Sequence, residues 1–180
     1  AQRPLLLTVM AWLHTFQGRL PDDRTELYAE AVDLLLRRWE SRMGGEEGLL
    51  TRLNVPGLKM RDLQAGLYAV AFRAHSATAE AEGTADVDEG DLRKWLAPYL
   101  GGSWDDAWDF VTYIRERAGL LIPRGDGAYT FPHRTFQEFM AACHLVGVED
   151  YPREAARLVL DDPVRWREVF ILAAGHAARV

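Results

Sequence analysis

The hydrophobic positions recur at helical spacing over most of the chain, and the polar positions fall between them as solvated faces. Residues 4–17 place Leu5, Val9, Trp12, Leu13 and Phe16 on one face, with Pro4 suited to a first helical turn and Gly18 as a stop. A second helix, roughly residues 24–43, buries Tyr28, Val32, Leu35 and Trp39, widened by Leu27, Ala31 and Leu34, with Asp22 or Asp23 as its cap. Arg37, Arg38 and Arg42 lie near its C-terminal end, where the helix dipole favours cations. The Gly- and Pro-containing stretch 44–58 reads as a connector. A third helix near 60–79 carries Leu63, Leu67, Val70, Ala71 and Ala74 on one face, and the acid-rich stretch 76–90 reads as a loop.

Two shorter helices follow, one with Leu92, Trp95, Leu96 and Tyr99, the other with Trp104, Ala107, Trp108, Val111 and Ile114, ending at Gly119. The period then changes. In LLIPRGDGAYTF two apolar runs, 120–122 and 129–131, flank Arg124-Gly125-Asp126-Gly127, a hairpin signal. A helix follows at once, with Phe136, Phe139, Met140 and Cys143 inward, and two more at about 152–160 and 163–178. Three helices, a hairpin and a helix describe a winged-helix subdomain. The expected fold is therefore mainly α: a helical domain (1–43), a linker (44–58), a winged-helix domain with a small β-hairpin (59–147), and the start of a further helical or repeat region (148–180). The chain begins without Met and runs at once into an apolar helix, which predicts a fragment of a longer protein.

Composition narrows the function classes. The 180 residues are 48% hydrophobic and carry a net charge of −6, so a packed core is expected and a disordered chain is not. No stretch reaches the roughly 18 to 20 apolar residues of a membrane span. A lone cysteine excludes a disulfide framework and a thiolate cluster, and fits a reducing, cytoplasmic setting. From Ser76 to Asp109 nine acids stand against Arg93 and Lys94, a surface that repels phosphates, so nucleic acid is not the expected partner.

Catalytic motifs are lacking. There is no G-x-x-x-x-G-K-[ST] loop, G-x-G-x-x-G, H-E-x-x-H or C-x-x-C, and His14, His75, His133, His144 and His176 are scattered. Cys143 reads as a structural thiol, Asp105 and Asp106 as helix-cap acids, and the six tryptophans as core residues. No catalytic residue and no metal ligand is assigned. His133 stands apart by position: it follows the second hairpin strand and opens the next helix in FPHRTFQEF. Backbone amides and the helix dipole there favour an anion, with the imidazole and Arg134 as added donors. The simpler alternative is a turn residue beside a Thr135/Glu138 capping box.

Two stretches resemble a known family. RPLLLTVMAWLH followed by GRLPDDRTELYAEAVDLLLRRW is similar to the helical domain downstream of the NTPase core in NACHT-type STAND signalling proteins. RERAGLLIPRGDGAYTFPHRTFQEFMAACHL resembles their winged-helix segment, with its F-x-H-x-[ST]-F-Q-E-[FY]-x-A-A signature, and VRWREVFILAAG resembles the start of the region that follows. Arg3 stands where many relatives have Asn. The resemblance implies that Pro4 packs against an adenine and that His133, with Arg134 beside it, meets the β-phosphate of ADP. It implies a regulatory, nucleotide-state-sensing part of an ATP-binding signalling or defence NTPase, not catalytic alone. Its implied partners are an upstream P-loop domain holding Mg and ATP or ADP, a downstream sensor or repeat domain, and a homo-oligomer of the full-length protein. The alternative is a free-standing winged-helix DNA-binding or protein-interaction module.

Overall fold

The computed structural model describes residues 7, 10–11, 13–15, 18, 21, 23–42, 50, 53, 55–77, 84–125 and 127–179. The described residues of the first segment, among them Met10, Leu13 and His14, are helical, and the Gly18 amide donates to the His14 carbonyl at 2.9 Å. Pro4, with Leu5, Val9, Trp12 and Phe16, lies outside the described residues.

Helix α1 (Arg24–Arg42) starts where Asp23 Oδ1 accepts the Glu26 amide at 2.9 Å, so Asp23 is the cap. Its fully buried line is Tyr28, Ala31, Val32 and Leu36. Leu35 is only half-buried, so the buried face is turned one residue from the sequence expectation. Neighbouring helices cover the Leu36 side, and the Leu36 carbonyl accepts the Tyr113 hydroxyl at 2.9 Å. Helix α2 (Met60–Ala77) buries the expected Leu63, Leu67, Val70, Ala71 and Ala74.

The acid-rich stretch is not all loop. Val87–Asp88 form a short strand, β1, and Asp88 then caps helix α3 (Glu89–Leu96) by accepting the Gly90 amide at 2.7 Å. Two residues carry no periodicity, so this strand exists only because a partner edge waits for it. After a 3-10 turn at Ala97–Tyr99 comes helix α4 (Trp104–Tyr113). Its cap is Ser103, while Asp105 and Asp106 occupy the first turn, where the dipole favours acids. The helix widens to a π turn at Ile114–Ala118 and ends at Gly119.

Strands β2 (Ile122–Pro123) and β3 (Ala128–Thr130) make the hairpin, with Ile122 opposite Thr130 and Pro123 opposite Tyr129. Gly125 and Gly127 take φ of 67° and 75° at its tip, a region side chains disfavour. β1 adds antiparallel to β3, giving the sheet order β1-β3-β2, the small sheet of a winged helix. Helix α5 (Arg134–Val146) then runs through the centre of the molecule, and α6 (Tyr151–Asp161) and α7 (Pro163–Ala177) complete the chain.

The fold is mainly helical with one small antiparallel sheet, and its core is continuous from Leu13 through α5 to Ala173. Helix α5 packs on α2, α7 and α1. Tyr28 of α1 meets Phe136 edge-on at 5.6 Å between ring centroids and Phe139 at 5.8 Å. Such pairs add about 0.5–1.5 kcal/mol each beyond their buried area. Not every tryptophan joins the core. Trp166 is buried and Trp95 and Trp108 pack against the core, but Trp104 is 54% exposed because the first residue of α4 projects beyond the core-facing side.

Candidate functional site

The start of α5 is built by the sheet before it. Phe131 and Thr130 are buried, which pins the chain as it leaves β3, and Pro132 leads into His133 at the N-cap with extended φ and ψ of −151° and 136°. Residues 132–135 are half-buried, and from Phe136 onward the helix sinks into the core.

His133 caps the helix with its own ring. Nδ1 accepts from the Thr135 amide at 3.3 Å and lies 2.7 Å from the Thr135 hydroxyl. With Nδ1 accepting, a neutral imidazole carries its proton on Nε2, the donor a ligand oxygen would use. The Thr135/Glu138 capping box therefore does not form: Thr135 sits inside the first turn and serves the histidine. Glu138 instead receives Arg134, whose Nε stands 2.7 Å from Oε1. The reason is reach: residues four apart in a helix face each other, and the cap is already taken.

Two amides of the first turn are also engaged. Thr135 N–H is held by the ring, and Phe136 N–H donates to the His133 carbonyl at 3.1 Å. The groups here whose chemistry suits an anion are the imidazole, the Arg134 guanidinium and the helix dipole. His133 and Arg134 are thus brought together, and Pro4 lies outside the described residues.

Glu138 is the residue of this site that sequence reasoning misjudged. It is only 4% exposed, and burial pushes its carboxyl above the usual range while the Arg134 guanidinium pulls it down. Glu168 of α7 and Arg24 of α1 act on the same carboxyl with opposite signs, and they pair with each other at 2.7 Å. The Arg134/Glu138 spacing is readable in the sequence, but the second pair joins positions far apart and leaves no local signal.

The other histidines have structural surroundings. His14 is exposed. His75 is 4% exposed, its Nε2 donates to the Arg165 carbonyl at 3.1 Å, and its ring meets Trp166 edge-on at 4.9 Å. Burial drives its pKa down to about 4. His144 lies against Phe72 and His176 against Phe139, and burial lowers both. Cys143 is buried beside Tyr68, its thiol pushed up to about 12, which leaves no thiolate at neutral pH. Among the described residues no group of His, Cys, Asp or Glu is placed to hold a metal ion, and no helix is long and apolar enough to cross a membrane.

Helix α4, the third of the winged helix and the one that would enter a DNA groove, reads WDDAWDFVTY, with three acids and no Lys or Arg. That composition opposes phosphate backbone contact. A winged-helix domain has no catalytic function in itself.

No curated protein and no solved structure matches the chain. A family model does, the winged helix-turn-helix domain C-terminal to NACHT, over residues 24–145. That span runs from the first residue of α1 to the end of α5 and takes in the sheet, α4 and His133, so the chain belongs to the family of winged helix-turn-helix domains that follow NACHT.

Proposed function

We propose that this region senses the nucleotide state of a larger NACHT-type, ATP-binding signalling NTPase and couples its domains. His133, with Arg134 beside it, meets the terminal phosphate of a bound nucleoside diphosphate presented by an upstream P-loop domain, and Pro4 borders the base. The observation that carries the reading is the imidazole at the mouth of α5. Thr135 holds Nδ1, so a neutral ring carries its proton on Nε2, and Arg134 is the next residue along the chain. The dipole of a 13-residue helix adds to the attraction for an anion.

The upstream domain supplies the phosphate-binding loop and Mg, and a downstream domain reads the signal. ADP holds the closed arrangement because His133 contacts it there, and exchange for ATP shifts the population away. A role in cytoplasmic defence signalling, with a homo-oligomer as the active state, belongs to the same proposal. No feature of α4 favours the DNA-binding alternative.

The test is ADP binding to the full-length protein. A hydrogen bond to a charged group contributes about 1.5–3 kcal/mol, so His133→Leu should weaken ADP roughly tenfold to a hundredfold and raise basal signalling. Because leucine also removes a cap, His133→Asn serves as the second variant: it keeps an N-cap acceptor but lacks the imidazole. Unchanged ADP affinity in both variants removes His133 from the site.

A further inference from the structure

Helix α4 repeats a tryptophan–aspartate pair one turn apart, Trp104-Asp105 and then Trp108-Asp109. Residues four apart share a helix face, so one pair stands above the other. Trp104 and Asp105 are exposed, whereas Trp108 and Asp109 are half-buried. The inner tryptophan already carries a cation. The Arg93 guanidinium of α3 lies 4.4 Å from the centroid of the Trp108 ring, and its Nη2 stands 2.9 Å from Glu89 Oε1. Arg93 thus meets an aromatic face and a carboxylate, the two partners that suit a planar cation. Arg73 lies over Trp95 in the same manner, at 5.6 Å. Among the described residues no cation lies over Trp104 or pairs with Asp105, although Trp104 is 54% exposed and outside the core.

We propose that the Trp104–Asp105 turn of α4 is a docking surface for an arginine-bearing, basic segment of a protein partner. The partner's guanidinium lies on the Trp104 indole as Arg93 lies on Trp108, and Asp105 takes the part that Glu89 plays for Arg93. Charge selects the occupant: α4 carries three acids and no Lys or Arg, which draws a basic segment and repels an acidic one. Chemistry favours arginine over lysine, because a guanidinium stacks flat on an indole while an ammonium is a compact, strongly hydrated charge. One exposed contact of this kind is weak, so Asp106 and Asp109 take further basic residues of the same segment. The surface makes no use of His133 and stands whether or not the nucleotide reading holds.

The test is fluorescence anisotropy of a dye-labelled peptide of alternating arginine and serine, titrated with the full-length protein at low salt. The peptide should bind, and raising the salt should weaken it. Trp104→Ala and Asp105→Asn should each weaken binding by about threefold or more, with the melting temperature unchanged because both side chains are exposed. A lysine-and-serine peptide of equal charge should bind more weakly than the arginine one. The proposal is overturned if the arginine peptide does not bind, or if Trp104→Ala binds it as tightly as the natural protein, since charge alone would then account for the attraction. Equal binding of an uncharged leucine-and-serine peptide would mark an apolar docking face instead. Self-association of the protein that Trp104→Ala abolishes, seen by sedimentation without any peptide, would make a second copy the occupant, and either result overturns the basic partner.

Discussion

His75 is the buried group whose protonation the fold resists most, which makes it a quantitative test of how α2 and α7 are seated. Its ring is 4% exposed, Nε2 donates to the Arg165 carbonyl, and Trp166 closes one side. Desolvation is the main cause of its lowered pKa; the Arg165 carbonyl opposes it, Arg134 and Arg165 add to it, and Asp162 opposes it. The unfolded chain takes a proton near 6.5, whereas the folded ring refuses one until about 4. The folded state thus binds fewer protons, and stability present above pH 6.5 drains away as pH falls toward 4. At pH 5 the linkage amounts to about 2 kcal/mol, and it approaches about 3 kcal/mol below pH 4. His144 and His176 are lowered by burial too and act in the same direction, while Glu138, raised by burial, acts in the opposite one.

A single substitution isolates the His75 share. His75→Gln keeps an N–H donor for the Arg165 carbonyl and does not titrate, and the other groups are common to both proteins. Urea unfolding of the 180-residue chain at pH 7.5 and pH 5.0 gives the loss for each. The natural chain should lose about 2 kcal/mol more than His75→Gln over that interval. Equal losses, within about 0.5 kcal/mol, would mean that the ring is not held neutral between α2 and α7, and the seating of α7 described above would be refuted.

Gly175 of α7 tests the approach to α1 in another way: a Cβ there would stand 2.5 Å from Thr25 Oγ1 and 3.4 Å from its Cβ. Thr25 is buried and β-branched, so rotating the hydroxyl away brings its methyl in; Gly175→Ala should cost about 1–2 kcal/mol in thermal unfolding despite a helix-propensity gain of about 1 kcal/mol. Adding Thr25→Ala should recover stability, and a Gly175→Ala chain that melts higher than the natural one would contradict so close a contact. The acid-bearing α4 predicts no shift of duplex DNA at about micromolar protein in a gel assay; a salt-dependent shift would displace the regulatory reading in favour of a DNA-binding module.

Much of the helical order was legible because each helix has its own local signals. The stripe of α2, the Asp23 cap, the Gly119 stop and the glycines of the hairpin tip all stand where the residues alone place them. Strand β1 was not legible, since Val87 and Asp88 have no pattern of their own and become a strand only on meeting Tyr129 and Ala128. The face of α1 was misjudged by one residue, because whether Leu35 or Leu36 is buried depends on which helices lie beside it. At the candidate site, His133 and Arg134 were marked by position alone. Glu138 was misassigned because T-x-x-E spells a capping box whenever the threonine is the cap, and here the cap is the residue two before it.

By itself the sequence determined the helices, the hairpin and a histidine at the mouth of α5, all of which follow from spacings of a few residues. It also determined that α4 is acid-bearing and poor in phosphate-binding groups. Only the tertiary structure decided that the His133 ring caps its own helix, that Glu138 is buried against Arg134, and that Arg24 and Glu168 tie α1 to α7. The physical reason is distance along the chain. Local pattern sets backbone conformation, but burial sets which charges must be paired, and burial is fixed by elements more than a hundred residues apart in sequence closing over one helix.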